Sequence, residues 1–151
     1  MYYLSIPAVL QHCMHIPIAS TRNKGGLAVE VIATNKAPAA IGPYSQGIIA
    51  NGFLFASGQI PLDTETGAVV GADITEQTGQ VMKNIAAILE SQGKNFTDVV
   101  KTTCYLADMQ DFANFNKVYE AFFISKPARS CFAVKELPKG VLCEVEFIAA
   151  M

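Results

Sequence analysis

The chain has 151 residues, 51% of them hydrophobic, and its 11 Lys and Arg against 13 Asp and Glu leave a formal charge of -2. That length and apolar content allow one compact domain with a sizeable core. The balanced charge, without blocks of one sign, lacks the footprint of a nucleic-acid binder, and no apolar run approaches the roughly 20 residues of a bilayer-spanning helix. The expected partner is a small molecule or a protein, and the expected compartment is the cytoplasm.

Residues 1–28 differ from the remainder. Pro7 and Pro17 interrupt two short apolar stretches, and Arg22, Lys24 and Gly25-Gly26 follow without one acidic residue. This reads as a poorly ordered N-terminal extension ahead of a domain at 29–151. Its basic, acid-free character weakly suggests an organelle presequence, but two basic residues and two prolines make a poor amphipathic helix, so a disordered leader or an upstream translation start is preferred. The cluster His12-Cys13-Met14-His15 has metal-ligand residue types but no second cluster to complete a structural zinc site, so no metal is expected.

From Val29 the pattern becomes orderly. Residues 29–33 read as a strand, a Pro/Gly-rich segment follows, residues 53–58 read as a second strand, and Asp63-Thr64-Glu65-Thr66-Gly67 as a turn. Asp73 with Glu76 resembles a capping box, and Ile74, Thr78, Val81, Ile85, Ile88 and Leu89 mark one helical face that Gly93 ends. Residues 99–106 are β-rich. Asp111 then precedes Phe112, Phe115, Val118, Tyr119 and Phe122 at helical spacing, an aromatic stripe of the kind that usually packs a core. Residues 130–134 and 141–149 flank Lys135-Glu136-Leu137-Pro138-Lys139-Gly140 as two strands joined by a short turn. The sum is an α+β layer: a mostly antiparallel or mixed sheet with two helices on one face. The other face also carries apolar residues, and oligomerisation would cover it.

Cys13, Cys104, Cys131 and Cys143 lack CxxC spacing and lie mostly in apolar, strand-like runs, which suits free, reduced thiols. If the final two strands close about Leu137-Pro138, Cys131 faces Glu144 and Arg129 faces Glu146, all on one sheet face because side chains alternate with period two. A one-residue slip would dissolve that cluster. An arginine there offers a planar fork of donors to a carboxylate, and a glutamate beside it could orient or deprotonate a water. The same pattern also describes a mere Arg129–Glu146 cross-strand ion pair with Glu144 solvated. Arg129 would lower the pKa of Glu144 and burial would raise it, and the sequence leaves the winner open.

Three separated segments resemble the RidA/YjgF family of imine and enamine deaminases: Ala37-Pro38-Ala39-Ala40-Ile41-Gly42-Pro43-Tyr44-Ser45-Gln46-Gly47, Ser57-Gly58-Gln59-Ile60-Pro61 and Pro127-Ala128-Arg129-Ser130-Cys131. Glu144-Val145-Glu146 in the closing strand completes the set, and the similarity runs from about Val31 to Ala149. The resemblance implies a chorismate-mutase-like fold and a homotrimer with pockets between subunits. It further implies that Arg129 holds a substrate carboxylate, Glu144 positions or activates water, Cys131 lines the pocket, and Tyr44, Ser57, Gly58 and Asn116 complete it. Each has a plainer reading: Tyr44 as a cap on the core, Ser57 and Gly58 as a strand end, Asn116 as helix decoration. No histidine follows residue 15, so Cys131 is not expected to act as an activated thiolate. The implied substrates are 2-aminoacrylate, 2-iminobutanoate and 2-iminopropanoate, hydrolysed to 2-oxo acids and ammonia without metal, nucleotide or pyridoxal cofactor. The rival readings are a non-catalytic carboxylate-binding regulatory trimer, a translation inhibitor or endoribonuclease, and a chaperone-like holdase. The stretch Phe123-Ile124-Ser125-Lys126-Pro127 looks shorter than in most of the family, which bears on the placement of Arg129.

Overall fold

The computed structural model describes residues 21–22 and 28–151. Most of the expected extension, including Cys13 and the cluster at 12–15, lies outside the described residues. Seven strands form one sheet: β1 Thr21–Arg22, β2 Ala28–Ile32, β3 Gly47–Ala50, β4 Phe53–Gln59, β5 Val99–Leu106, β6 Ala128–Ala133 and β7 Cys143–Ala150. Their order is β1-β2-β3-β4-β7-β5-β6. All neighbouring pairs are antiparallel except β5 and β6. The helices α1 Ile74–Ser91 and α2 Phe112–Phe122 pack together over one face, so the expected mixed sheet with two helices on one side is the fold observed.

Local chemistry explains the helix ends. Asp73 caps α1 by accepting from the Glu76 backbone N–H at 2.9 Å, while the Glu76 carboxylate reaches back to the Ala72 N–H at 2.8 Å. Losing such a cap costs about 1 kcal/mol. Beyond Ser91 the chain turns at Gly93, whose φ of 67° suits a residue without Cβ. Ile74, Val81, Ile85, Ile88 and Leu89 face inward as their spacing predicts and are all but fully buried. From the sheet, Leu54, Thr102, Cys104, Leu106, Val145, Phe147 and Ala149 meet them. Cys104, Cys131 and Cys143 are free thiols.

Strand β3 is absent from the elements expected above. Its signal is Asn51-Gly52, where positive φ values of 52° and 76° build the two-residue hairpin loop that sets Ala50 opposite Phe53.

The closing hairpin is the element that requires correction. Strands β6 and β7 are not neighbours, because β5 lies between them, parallel to β6 and antiparallel to β7. Thr102 stands opposite Arg129 and Cys104 opposite Cys131, whereas Thr103 stands opposite Glu146 and Tyr105 opposite Glu144. Alternation along β5 therefore puts Arg129 and Cys131 on the helix-covered face and Glu144 and Glu146 on the open one. Neither the shared face nor the Arg129–Glu146 ion pair exists within one chain. The physical reason lies in α2: it carries the chain back from the end of β5 so that β6 docks parallel to β5, the connection that parallel strands require.

Candidate functional site

Arg129 lies on β6, which ends the sheet, and its side chain folds over α2. One guanidinium nitrogen donates to the Asn116 side-chain carbonyl at 2.8 Å. The guanidinium carbon sits 4.7 Å from the ring centre of Tyr119 and 5.6 Å from that of Phe112. These partners fix the fork in place without neutralising it, and that is what an anion-binding group requires. The adjoining cleft of about 380 Å³ is lined by Asn116, Tyr119, Phe123, Ile124, Lys126 and Arg129, among others. The short stretch before β6 forms part of its wall; Lys126 adopts a positive φ of 52°, and its N–H closes a tight turn onto the Phe123 carbonyl at 3.0 Å.

On the open face, Tyr44, Ser57, Gly58, Glu144 and Glu146 line a second cleft of about 360 Å³, with Ile41, Ile60 and Pro138. Strand β4 bulges here. Ala56 pairs with Phe147 and Gln59 with Val145, so Ser57 and Gly58 together stand against Glu146 alone. A bulge of this kind re-aims side chains where a ladder would have held them. The Glu144 carboxylate lies across Gly58, in the space a side chain there would fill. Its pKa is raised first by burial and then by the neighbouring charge of Glu146, so burial wins, and the arginine expected beside it is on the other face.

The frame behind this cleft is well satisfied. Ser57 donates its hydroxyl to the Ser45 carbonyl at 2.6 Å and its N–H to the Gln46 carbonyl at 3.0 Å. Gln46, almost fully buried, accepts from the Thr34 N–H at 2.6 Å and donates to the carbonyls of Thr34, Ala37 and Pro38. That clasp sets the loop carrying Tyr44, whose hydroxyl accepts from the Ile41 N–H at 3.2 Å. On the far side, Asn84 of α1 donates to the carbonyls of Ile60 and Leu62 at 3.1 and 3.0 Å and pins the chain just after the bulge.

The site residues expected from the sequence thus form two groups: Arg129 with Asn116 on one face, and Tyr44, Ser57, Gly58 and Glu144 on the other. Cys131 shares the face of Arg129, packs against the main core beside Cys104, and has its thiol pKa raised by burial. Tyr119 and Phe112, whose spacing indicates core packing, also hold the arginine, and Gln46 proves to be the structural clasp within the first motif. No helix among the described residues is long and apolar enough to cross a membrane.

A family model described as endoribonuclease L-PSP matches residues 34–151. A RutC family protein of Pyrococcus abyssi is 56% identical over 82% of this chain and 98% of its own length. The 2-iminobutanoate/2-iminopropanoate deaminase of Salmonella typhimurium is 48% identical over 80% of this chain and 96% of its own. Among solved structures, E. coli TdcF with bound serine superposes with a TM-score of 0.76 at 41% identity, covering 80% of this chain and 98% of that one.

Proposed function

The chain belongs to the endoribonuclease L-PSP family, the RidA/YjgF family, and on that footing we propose that it hydrolyses 2-imino acids and their enamine tautomers to 2-oxo acids and ammonia. The observation that carries this reading is the division of the site: an arginine held only by neutral contacts on one face, and a carboxylate of raised pKa over a glycine bulge on the other. Each half lacks what the other supplies. A second copy, presenting its open-face cleft to the Arg129 edge of the first, would complete the set.

The open face supports such assembly. Phe53, Phe55 and Phe132 are 41%, 46% and 45% exposed there, with Ile48 and Val31 also uncovered. Apolar side chains gathered on one uncovered face are what a subunit contact would bury. The proposed assembly is a homotrimer with its pockets between subunits, and the substrate carries a carboxylate.

In this reading Arg129 grips the carboxylate and fixes the C=N carbon within reach of a water beside Glu144 of the neighbouring copy. Glu144 takes a proton from that water as its oxygen bonds to the carbon, and passes it to the nitrogen as the C=N π bond opens, giving a neutral carbinolamine. The hydroxyl proton then moves by way of Glu144 to the nitrogen as the C–N bond breaks, so that ammonia leaves and a C=O bond remains. An enamine enters the same route after tautomerising to the imine. No step calls on a metal or an organic cofactor, because the imine carbon is already electrophilic. The relative from Salmonella named as a deaminase and the serine in TdcF both agree with a small amino-acid-derived ligand.

The test is hydrolysis of 2-iminobutanoate generated in situ by the purified protein and by Arg129→Ala. Wild-type turnover that disappears in the variant, with the assembly intact, is expected. Undiminished turnover in Arg129→Ala would remove this mechanism.

A further inference from the structure

Arg129 sits at the end of an aromatic ladder. Its guanidinium lies 4.7 Å from the Tyr119 ring centre, Tyr119 stacks on Phe123 at 4.4 Å, and Phe123 meets Phe96 edge-on at 4.9 Å. The Tyr119 ring cannot turn freely, because its hydroxyl shares a 2.7 Å hydrogen bond with Thr102, buried on β5 directly opposite Arg129 in the sheet register. One β5 residue therefore aims the ring at the side chain of its own strand neighbour. We infer that Tyr119 is a positioning residue for substrate binding, holding the Arg129 guanidinium by its ring face while Thr102 locks the ring.

This rests on the reading of Arg129 as the carboxylate anchor. A carboxylate partner could hold the guanidinium as firmly, but it would cancel the charge that the ligand must meet. A ring face attracts the cation through its quadrupole and adds no formal charge, so the fork stays both ordered and electropositive. Asn116 occupies one nitrogen, which leaves the other edge of the fork for two parallel bonds to a carboxylate.

The role predicts dependence on ring electrons rather than ring shape. Tyr119→Phe is the reference, followed by phenylalanine analogues of increasing ring fluorination at position 119, which hold the shape and weaken the quadrupole; Tyr119→Leu removes the ring. Affinity for 2-oxobutanoate is measured by calorimetry and KM and kcat by turnover. Affinity should fall stepwise with fluorination, by about 3- to 30-fold across the series, with KM rising in parallel and kcat moving less. The fluorinated series decides the matter even if Tyr119→Leu does not fold. A series with flat affinity would overturn the inference, since a ring that only fills space would give that result. Stepwise weakening of binding in a protein without turnover would support this role while ending the deaminase reading. A wild type that neither binds a 2-oxo acid nor turns over the imine would overturn both.

Discussion

Gly58 and Glu144 contend for one volume: a methyl group built on Gly58 would stand 2.7 Å from Cδ of Glu144 and nearer still to its Oε1. Only hydrogen at that position lets the carboxylate lie over the β4 bulge. The obstructing atoms are the end of a flexible side chain, so Gly58→Ala should swing Glu144 aside without disturbing the backbone. Deaminase activity is expected to fall by about 100-fold, with a stability change below about 1 kcal/mol. Steady-state kinetics beside thermal melting separates the two effects, and full activity in Gly58→Ala would show that the overlap has no catalytic meaning.

The raised pKa of Glu144 has burial as its first cause and Glu146 as its second. If Glu144 is the base, activity requires its ionised form, and burial with Glu146 pushes the acid limb of kcat/KM upward against the downward pull of the Arg129 guanidinium supplied by the neighbouring copy. Glu146→Gln removes the second cause only. The limb should move toward lower pH, and a limb that does not move would exclude Glu144 as the titrating group.

The same shift fixes the sign of a stability effect. A carboxylate whose folded pKa is raised binds its proton more tightly when folded, so its stabilising contribution is present below the unfolded pKa and is lost as pH rises toward the folded one. Glu144→Gln cannot ionise and should escape that loss. Denaturant titration should find the variant gaining on wild type as pH rises through this window, and a constant difference would contradict the shift.

Separation of Arg129 and Glu144 onto opposite faces makes a mixing experiment decisive. Arg129→Ala and Glu144→Gln should each be inactive. In a closed ring of three, a neighbouring pair of unlike variants taken in the right order restores one intact site, so refolding them together in equal amounts should recover about a quarter of wild-type activity. No recovery would show that the two residues do not meet across a subunit boundary.

Phe55 lies at the centre of the uncovered sheet face, next to β7 and opposite Ile148. Phe55→Glu adds a charge where copies would meet and should yield smaller species in light scattering while far-UV circular dichroism is preserved. An unchanged mass would argue that this face is not the contact.

Much of this protein is legible in its amino-acid order. The spacing of Ile74, Val81, Ile85 and Leu89, the cap at Asp73 and the turn at Asp63 are local features, and a residue's neighbours along the chain suffice to decide them. The three motifs likewise name the family and supply Arg129 to one cleft and Tyr44, Ser57 and Gly58 to the other. Non-local arrangement is not legible in the same way. Nothing between Ser130 and Ala149 announces that β5, more than twenty residues upstream, enters between the last two strands, because strand order is set by how α2 packs and not by the length of a turn. Tyr119 resembles core packing for the same reason: its spacing shows that it faces inward, but not what it meets there.

Sequence alone determined both helices, most of the strands, their apolar faces and the chemistry available, because hydrophobic period and turn preference act over a few residues. Tertiary structure alone decided which of those groups share a face. In a sheet a strand's neighbours, not its sequence, choose the side chains beside it, and here they set the guanidinium and the carboxylate back to back.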